Sequence, residues 1–200
     1  MAGPVSRTEI LRRITEGLGT ERGSEVEVPR GYALRLEESR ADVLALFTER
    51  VADHGVAIRH VGPDELATAV AATLWARQVK RIAVPGDLPY GWLADLQGIE
   101  VLADGPLLDA DQLGGVEGVV TGCAAAIALT GTLILDGGRA QGRRALTRTA
   151  AHHLCVVHAD QIAGTVPEAF RRLDPYRPMT WLSAGPSLEV LLVESALITP

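Results

Sequence analysis

The stretch V-A-I-R-H-V-G-P-D-E-L-A-T-A-V-A-A-T-L-W-A-R-Q-V-K-R-I-A-V-P-G, Val56 to Gly86, decides the fold class. Val56 to His60 is short and extended. Pro63, Asp64 and Glu65 then open a helix: proline in a first turn loses no needed hydrogen bond, and two acids suit the positive helix end. Its apolar stripe includes Leu66, Val70, Leu74 and Trp75. Arg81 to Val84 is the next strand, stopped by Pro85-Gly86. Strands alternating with helices in this way point to a parallel or mixed sheet covered on both faces.

Working outward, Ser39 to His54 carries Val43, Leu44, Leu46, Phe47 and Val51 at helical spacing, with Gly55 as the stop. Leu93 and Leu96 fall on a short helix, and Ile99 to Leu102 is a strand. Beyond it the texture changes. Gly118 to Thr121, Ala124 to Leu129 and Thr132 to Leu135 are apolar runs broken by Gly122 and Thr130-Gly131. A helix around Gln141 to Thr149, a strand His153 to His158 and a helix Thr165 to Leu173 follow, then strands Met179 to Ser183 and Leu188 to Val193. The expected fold is α/β, a mixed, mostly parallel sheet covered by helices. Ser6-Arg7-Thr8-Glu9 has the form of a capping box, and a helix to about Glu16 precedes the polar linker Glu21 to Gly31. Residues 1–38 are therefore read as an N-terminal helical arm and linker that packs on the core or on a partner, and 39–200 as one α/β domain.

The 200 residues hold 25 acidic against 19 basic side chains, a net charge of −6. That excludes a general nucleic-acid or anionic-membrane binder, whose footprint is basic. Lys80 is the one lysine, so a Schiff base has one candidate. Asparagine is absent, which removes Asn-dependent catalytic constellations. Cys123 and Cys155 are too few for a disulfide framework or for the four thiolates of a usual iron–sulfur cluster. Charges interrupt the N-terminal apolar runs, and the longest run, Cys123 to Leu129, is too short to span a bilayer. The expectation is a soluble cytoplasmic protein.

Four segments hold the candidate chemistry. In Thr121 to Leu133, Gly122 and Gly131 let a ligand approach the backbone and Thr130 and Thr132 offer hydroxyls, although composition alone favours a packed hairpin. In Asp136 to Arg144, the residues Gly137, Gly138, Gln141, Gly142, Arg143 and Arg144 sit between a strand and a helix, where backbone amides and guanidinium forks suit a phosphate or carboxylate. The stretch is neither a Walker A loop nor a dinucleotide fingerprint. On the strand His152 to His158, His153 and Cys155 share a face, with Cys123 as a distant third ligand. No C-x-x-C or H-x-x-x-H spacing supports a metal there, so no metal or cofactor is expected, and a hydrogen-bonded buried histidine is the plainer reading. His54 and His60 are read as surface residues. Gly185-Pro186-Ser187 follows a strand's carboxyl end, where open α/β sheets bind ligands.

Taken together, T-G-x-x-x-A-I-A-x-T-G-T-L (Thr121 to Leu133), A-Q-G-R-R (Ala140 to Arg144), H-H-x-C-V-V (His152 to Val157) and S-x-G-P-S (Ser183 to Ser187) resemble the lactate utilization protein C family, the LUD-domain proteins. The similarity runs from about Ser39 onward. It implies a fold like that of the ribose-5-phosphate isomerase, CoA-transferase and formyltetrahydrofolate cyclo-ligase group. It also implies a part in a bacterial system that oxidises L-lactate to pyruvate, with iron–sulfur subunits as partners. This chain would then be an accessory or ligand-binding component without a cluster of its own, taking a small anionic ligand and able to form a homo-oligomer. The competing expectation is a stand-alone nucleotide- or acyl-dependent ligase or transferase, for which His153 is the one catalytic candidate. Two departures from the family stand out. Leu129 occupies a position usually held by Glu. Ser187 runs directly into Leu188, where members carry an acidic stretch and a Gly-Val-His-Gly-Pro motif, and an omitted mobile loop is the preferred explanation.

Overall fold

The structure, a computed structural model, describes residues 6–17, 34–105, 114–149, 151–183, 185 and 187–194. The chain divides into two units, Met1–Tyr32 and Ala33–Pro200. In the first, helix α1 (Arg7–Gly17) starts where Ser6 Oγ accepts from the Glu9 amide, and Glu9 pairs with Arg12 and Arg13 along it. The polar linker expected over Glu21 to Gly31 lies outside the described residues.

The second unit contains two sheets. One has six strands in the order β1–β10–β7–β4–β2–β3, parallel throughout. These are β1 (Ala57–Val61), β2 (Arg81–Pro85), β3 (Glu100–Asp104), β4 (Gly118–Thr121), β7 (His152–His158) and β10 (Leu188–Val193). The other, in the order β8–β5–β6–β9, is mixed. It consists of β5 (Ala125–Ile127), β6 (Thr132–Leu135), β8 (Ile162–Ala163) and β9 (Thr180–Leu182). The apolar runs from Gly118 to Leu135 thus divide: β4 belongs to the parallel sheet, and the chain crosses at Gly122 into the β5–β6 hairpin of the second.

Period-two alternation accounts for the two cores. On one face of β7 and β10, Cys155, Val157, Val190 and Leu192 meet helix α2 (Arg40–Asp53) through Val43, Phe47 and Val51. On the other, Leu154, Val156, Leu191 and Val193 meet helix α3 (Leu66–Ala76) through Leu66, Val70 and Leu74. Ser39 caps α2, accepting from the Asp42 amide, and Gly55 takes a left-handed φ of 72° just past its end. A 3-10 turn, Pro63–Glu65, leads into α3.

Several sequence expectations need correction. Trp75 does not join the buried stripe of α3: it is exposed, and its indole donates to the Gln97 carbonyl. The helix expected from Gln141 starts only at Arg144 (α4, Arg144–Thr149), because Gln141 is occupied in a turn before it. The helix expected over Thr165 to Leu173 is the short α5 (Val166–Phe170), capped by Thr165. Leu93 closes a 3-10 turn, Tyr90–Leu93, and Leu96 lies beyond it. Ser187 passes directly into Leu188: the Leu188 amide donates to the Gly185 carbonyl, and the Ser187 carbonyl accepts from the His153 amide, which leads the chain into β10. Pro186 lies outside the described residues.

Candidate functional site

The parallel sheet reverses its winding between β2 and β4, since the chain moves outward from β2 to β3 and then returns to the other side. Open α/β sheets bind ligands beyond the carboxyl ends of the strands at such a switch point. A cavity of about 870 Å³ lies there. It is bounded by Gly86-Asp87 after β2, Asp104-Gly105 at the end of β3, the loop from Asp136 to Arg144, and Arg177 to Thr180 ahead of β9.

The loop is built tightly. Gln141 is buried and its side-chain oxygen accepts from the Asp136 amide at 2.6 Å, while Asp136 Oδ1 accepts from the Gly138 amide at 2.9 Å. Ala140 is held in a left-handed conformation, φ 60°, which costs a residue with a Cβ about 1–2 kcal/mol. It is fixed from both sides: its amide donates to Asp87 at 3.0 Å, and its carbonyl accepts from the Gly122 amide at 2.7 Å. The loop is thereby tied to the ends of β2 and β4. Gly142, φ 67°, has no room for a Cβ, which would fall 2.4 Å from Leu146.

Four arginines line the cavity in three different states. Arg143 is spent on Asp104, donating from Nη2 at 2.6 Å and from Nε at 2.9 Å, and the carboxylate raises its pKa further. Arg177 is held loosely, 3.7 Å from Asp136 and 3.8 Å from Asp174, beyond direct hydrogen bonding. The guanidinium groups of Arg139 and Arg144 have no polar partner among the described residues, and neither have the amides of Gly137, Arg139 and Gly142. Among the described residues, amides and guanidinium forks without a partner therefore lie side by side in this turn, the donor types that hold anions in such concavities.

Of the residues singled out in the sequence, the structure gathers Gly137, Gly138, Gln141, Gly142, Arg143 and Arg144 around this cavity. It does not bring the others there. Gly122 supplies only the amide that braces Ala140. Thr130 and Gly131 form the β5–β6 turn against the end of α2. A Cβ on Gly131, φ 61°, would sit 2.7 Å from the Arg50 backbone, and the Thr130 carbonyl is hydrogen-bonded to His54 Nε2 at 2.9 Å. Thr132 is hydrogen-bonded to Ser183 at 3.0 Å. Gly185 and Ser187 shape the turn into β10. Leu129, at the position usually held by Glu in the family, is exposed at the hairpin turn and is not a cavity residue.

His153 is buried in the parallel sheet, its Nε2 hydrogen-bonded to Thr121 Oγ1 at 2.7 Å. Burial, and then the neighbouring His152, press its pKa down to about 4, so it is neutral at ordinary pH. It does not line the cavity. The buried Cys123 thiol donates to Gln161 Oε1 at 3.6 Å, and the neighbouring Cys155 thiol, then burial, push its pKa well above the ordinary thiol range. Among the described residues no group of three or more His, Cys, Asp or Glu side chains is placed to hold a metal ion.

The sequence reading passed over Asp87, Asp104, Arg139 and Arg177. Two of these had a visible signal: Gly86-Asp87 and Asp104-Gly105 each set a carboxylate beside a glycine at the carboxyl end of a strand. Arg177 had none, since only the fold carries the segment before β9 over Gly138.

A profile of the LUD domain matches residues 110–185, which include the loop, the β5–β6 hairpin and β7. The class is therefore that of LUD-domain α/β proteins. Over 196 residues the chain is 38% identical to lactate utilization protein C of Deinococcus radiodurans, covering 94% of this chain and 89% of that one. This protein belongs to the lactate utilization protein C family. A crystal structure of a DUF162 family protein from Deinococcus radiodurans, 40% identical, matches the fold with a TM-score of 0.71 over 78% of this chain and 99% of that one.

Proposed function

We propose that this protein is the ligand-binding component of an L-lactate utilization system, and that it holds an anionic small molecule in the cavity between Asp87 and Arg177. The relative named lactate utilization protein C supplies the system. The observation that carries the site is the pair of guanidiniums, Arg139 and Arg144, that have no partner among the described residues, beside loop amides in the same state in a protein whose net charge is negative. Such a concentration of positive charge needs an anionic partner to be useful. Its partners in this reading are iron–sulfur subunits. It carries no cluster itself, because its two cysteines supply half of the thiolates a usual cluster takes. Residues 1–38 act as the arm and 39–200 as the ligand-binding domain. The site of action is the cytoplasm, in keeping with the absence, among the described residues, of any helix long and apolar enough to cross a membrane.

The test is genetic. A strain of the source organism lacking this gene grows poorly on L-lactate as carbon source, and the wild-type gene restores growth. The double variant R139A/R144A, expressed at the same level, fails to restore it. Full rescue by that variant removes the anion site from the function, and normal growth of the deletion strain removes the function.

A further inference from the structure

We infer, resting on the reading of this cavity as the ligand site, that its occupant is an organic phosphate ester several times larger than lactate or pyruvate. Volume is the first argument. At a water-like share of about 30 Å³ per heavy atom, lactate's roughly six heavy atoms would fill about a fifth of the 870 Å³. A cavity of this size is of the order that takes a whole drug- or nucleotide-sized molecule, about 300–1,000 Å³. A lone C3 acid would leave most of the wall in water.

Charge is the second argument. Removing the closed Arg143–Asp104 pair leaves three guanidiniums, Arg139, Arg144 and Arg177, against the carboxylates of Asp87 and Asp136. Both carboxylates are already engaged by loop amides, of Ala140 and Gly138. Among the described residues Arg139 and Arg144 face no ion-pair partner and Arg177 makes only long pairs, so the uncompensated guanidinium donors exceed what a single carboxylate can accept. A phosphate group carries more charge and three acceptor oxygens.

The third argument is the way donors are presented. The amides of Gly137, Arg139 and Gly142 have no partner among the described residues, in a turn whose left-handed residues are Gly137, Ala140 and Gly142. Turns of this kind form concavities that fit tetrahedral oxyanions. Arg177 Nη1 lies where it would be 3.1 Å from a Cβ on Gly138, so a third guanidinium sits directly over the same loop. The phosphate belongs at the 137–144 loop, and the body of the ester fills the space toward Gly86 and Gly105.

Calorimetric titration of the full-length protein at low salt tests this, using adenosine diphosphate, adenosine, coenzyme A, ribose 5-phosphate, inorganic phosphate, L-lactate and pyruvate. A phosphate ester is expected to bind at least about tenfold more tightly than adenosine, inorganic phosphate or lactate. That advantage is expected to disappear in R139A/R144A, whose ligand-free melting temperature matches the wild type. Which ester binds best identifies the body: nucleotide, pantetheine-bearing or sugar. Binding of lactate or pyruvate as tight as that of any ester, lost in the double variant, overturns this inference while leaving the cavity as the ligand site. Inorganic phosphate binding as well as every ester removes the claim for a large body. No binding of any of these compounds overturns both.

Discussion

Arg143 reaches from the glycine-rich loop to Asp104 at the end of β3 and closes a fork on a carboxylate whose side chain is 4% exposed. An arginine so engaged positions the loop and leaves ligand charge to its neighbours. Arg143 and Arg144, adjacent in sequence and equivalent by composition, are therefore expected to separate on substitution. R143A removes the guanidinium donors from the Asp104 carboxylate and leaves it the residue-143 amide at 3.3 Å, so it is expected to lower the melting temperature, with weaker ligand binding as a secondary result. R144A should leave the melting temperature within a degree or two of wild type and weaken binding directly. Paired thermal denaturation and titration of the two variants measure the difference. Equal melting temperatures would show that the Arg143 fork does not hold the loop.

The glycines of the two motifs sort in the same way. A Cβ on Gly122 meets Trp92 and Ala140 at 3.5 to 3.6 Å, ordinary contact distances, so G122A should change stability by no more than about 0.5 kcal/mol. On Gly142 it would sit 2.4 Å from Leu146 in a left-handed backbone, and on Gly131 it would sit 2.7 Å from the Arg50 backbone, also left-handed. G142A and G131A are each expected to cost about 1–3 kcal/mol. Only G142A should also weaken ligand binding, because Gly131 lies at the end of α2. Urea denaturation gives the stabilities. A loss of ligand affinity in G131A would contradict the separation of the hairpin turn from the cavity.

This division shows what was legible in the residues. The Val56–Gly86 stretch pointed to an α/β fold with a parallel or mixed sheet because a helix of period 3.6 lies between two short apolar runs, and that local signal needs no tertiary knowledge. The glycines and arginines of loop 136–144 singled it out in the sequence, and the structure gathers Gly137, Gly138, Gln141, Gly142, Arg143 and Arg144 around one cavity. The reading could not decide which arginine was free, since Arg143 is satisfied by Asp104, 39 residues away in the chain. It assigned ligand contacts to Thr130, Gly131 and Thr132, because a glycine required by turn geometry and one required by a ligand look alike in sequence. The start of α4 was misplaced for a similar reason: Gln141 is a good helix former, and only its bond to the Asp136 amide keeps it in the turn.

Leu129 offers a direct check on family resemblance. The family resemblance leads one to expect Glu at this position, and the side chain here is exposed at the hairpin turn, with the Leu129 amide donating to the Gly164 carbonyl. L129E restores the family's residue on a solvated surface away from the cavity. Stability should move by less than about 0.5 kcal/mol, and ligand affinity should not change. An affinity gain on titration would mean that the hairpin turn reaches the ligand after all.

The buried pair Thr121–His153 predicts how stability depends on pH. His153 has a folded pKa of about 4 against the ordinary 6.5, owing first to burial and then to His152. In the unfolded chain it takes up a proton as pH falls through about 6.5, while the folded protein takes it up only near 4. The unfolded state therefore binds more protons in that window, and stability falls as pH is lowered through it. At about 1.4 kcal/mol per unit, the full shift corresponds to about 3 kcal/mol between pH 6.5 and 4. His152, whose pKa is lowered chiefly by burial, adds a contribution of the same sign. Carboxylates with depressed pKa values also lose stability toward acid, so the histidine's share must be isolated by substitution. In H153Q the urea midpoint should depend less steeply on pH between 6.5 and 4 than in the wild type. Above pH 7, where His153 is neutral in both states, the two proteins should run parallel. Identical slopes across the whole range would mean that His153 is not held neutral beside Thr121.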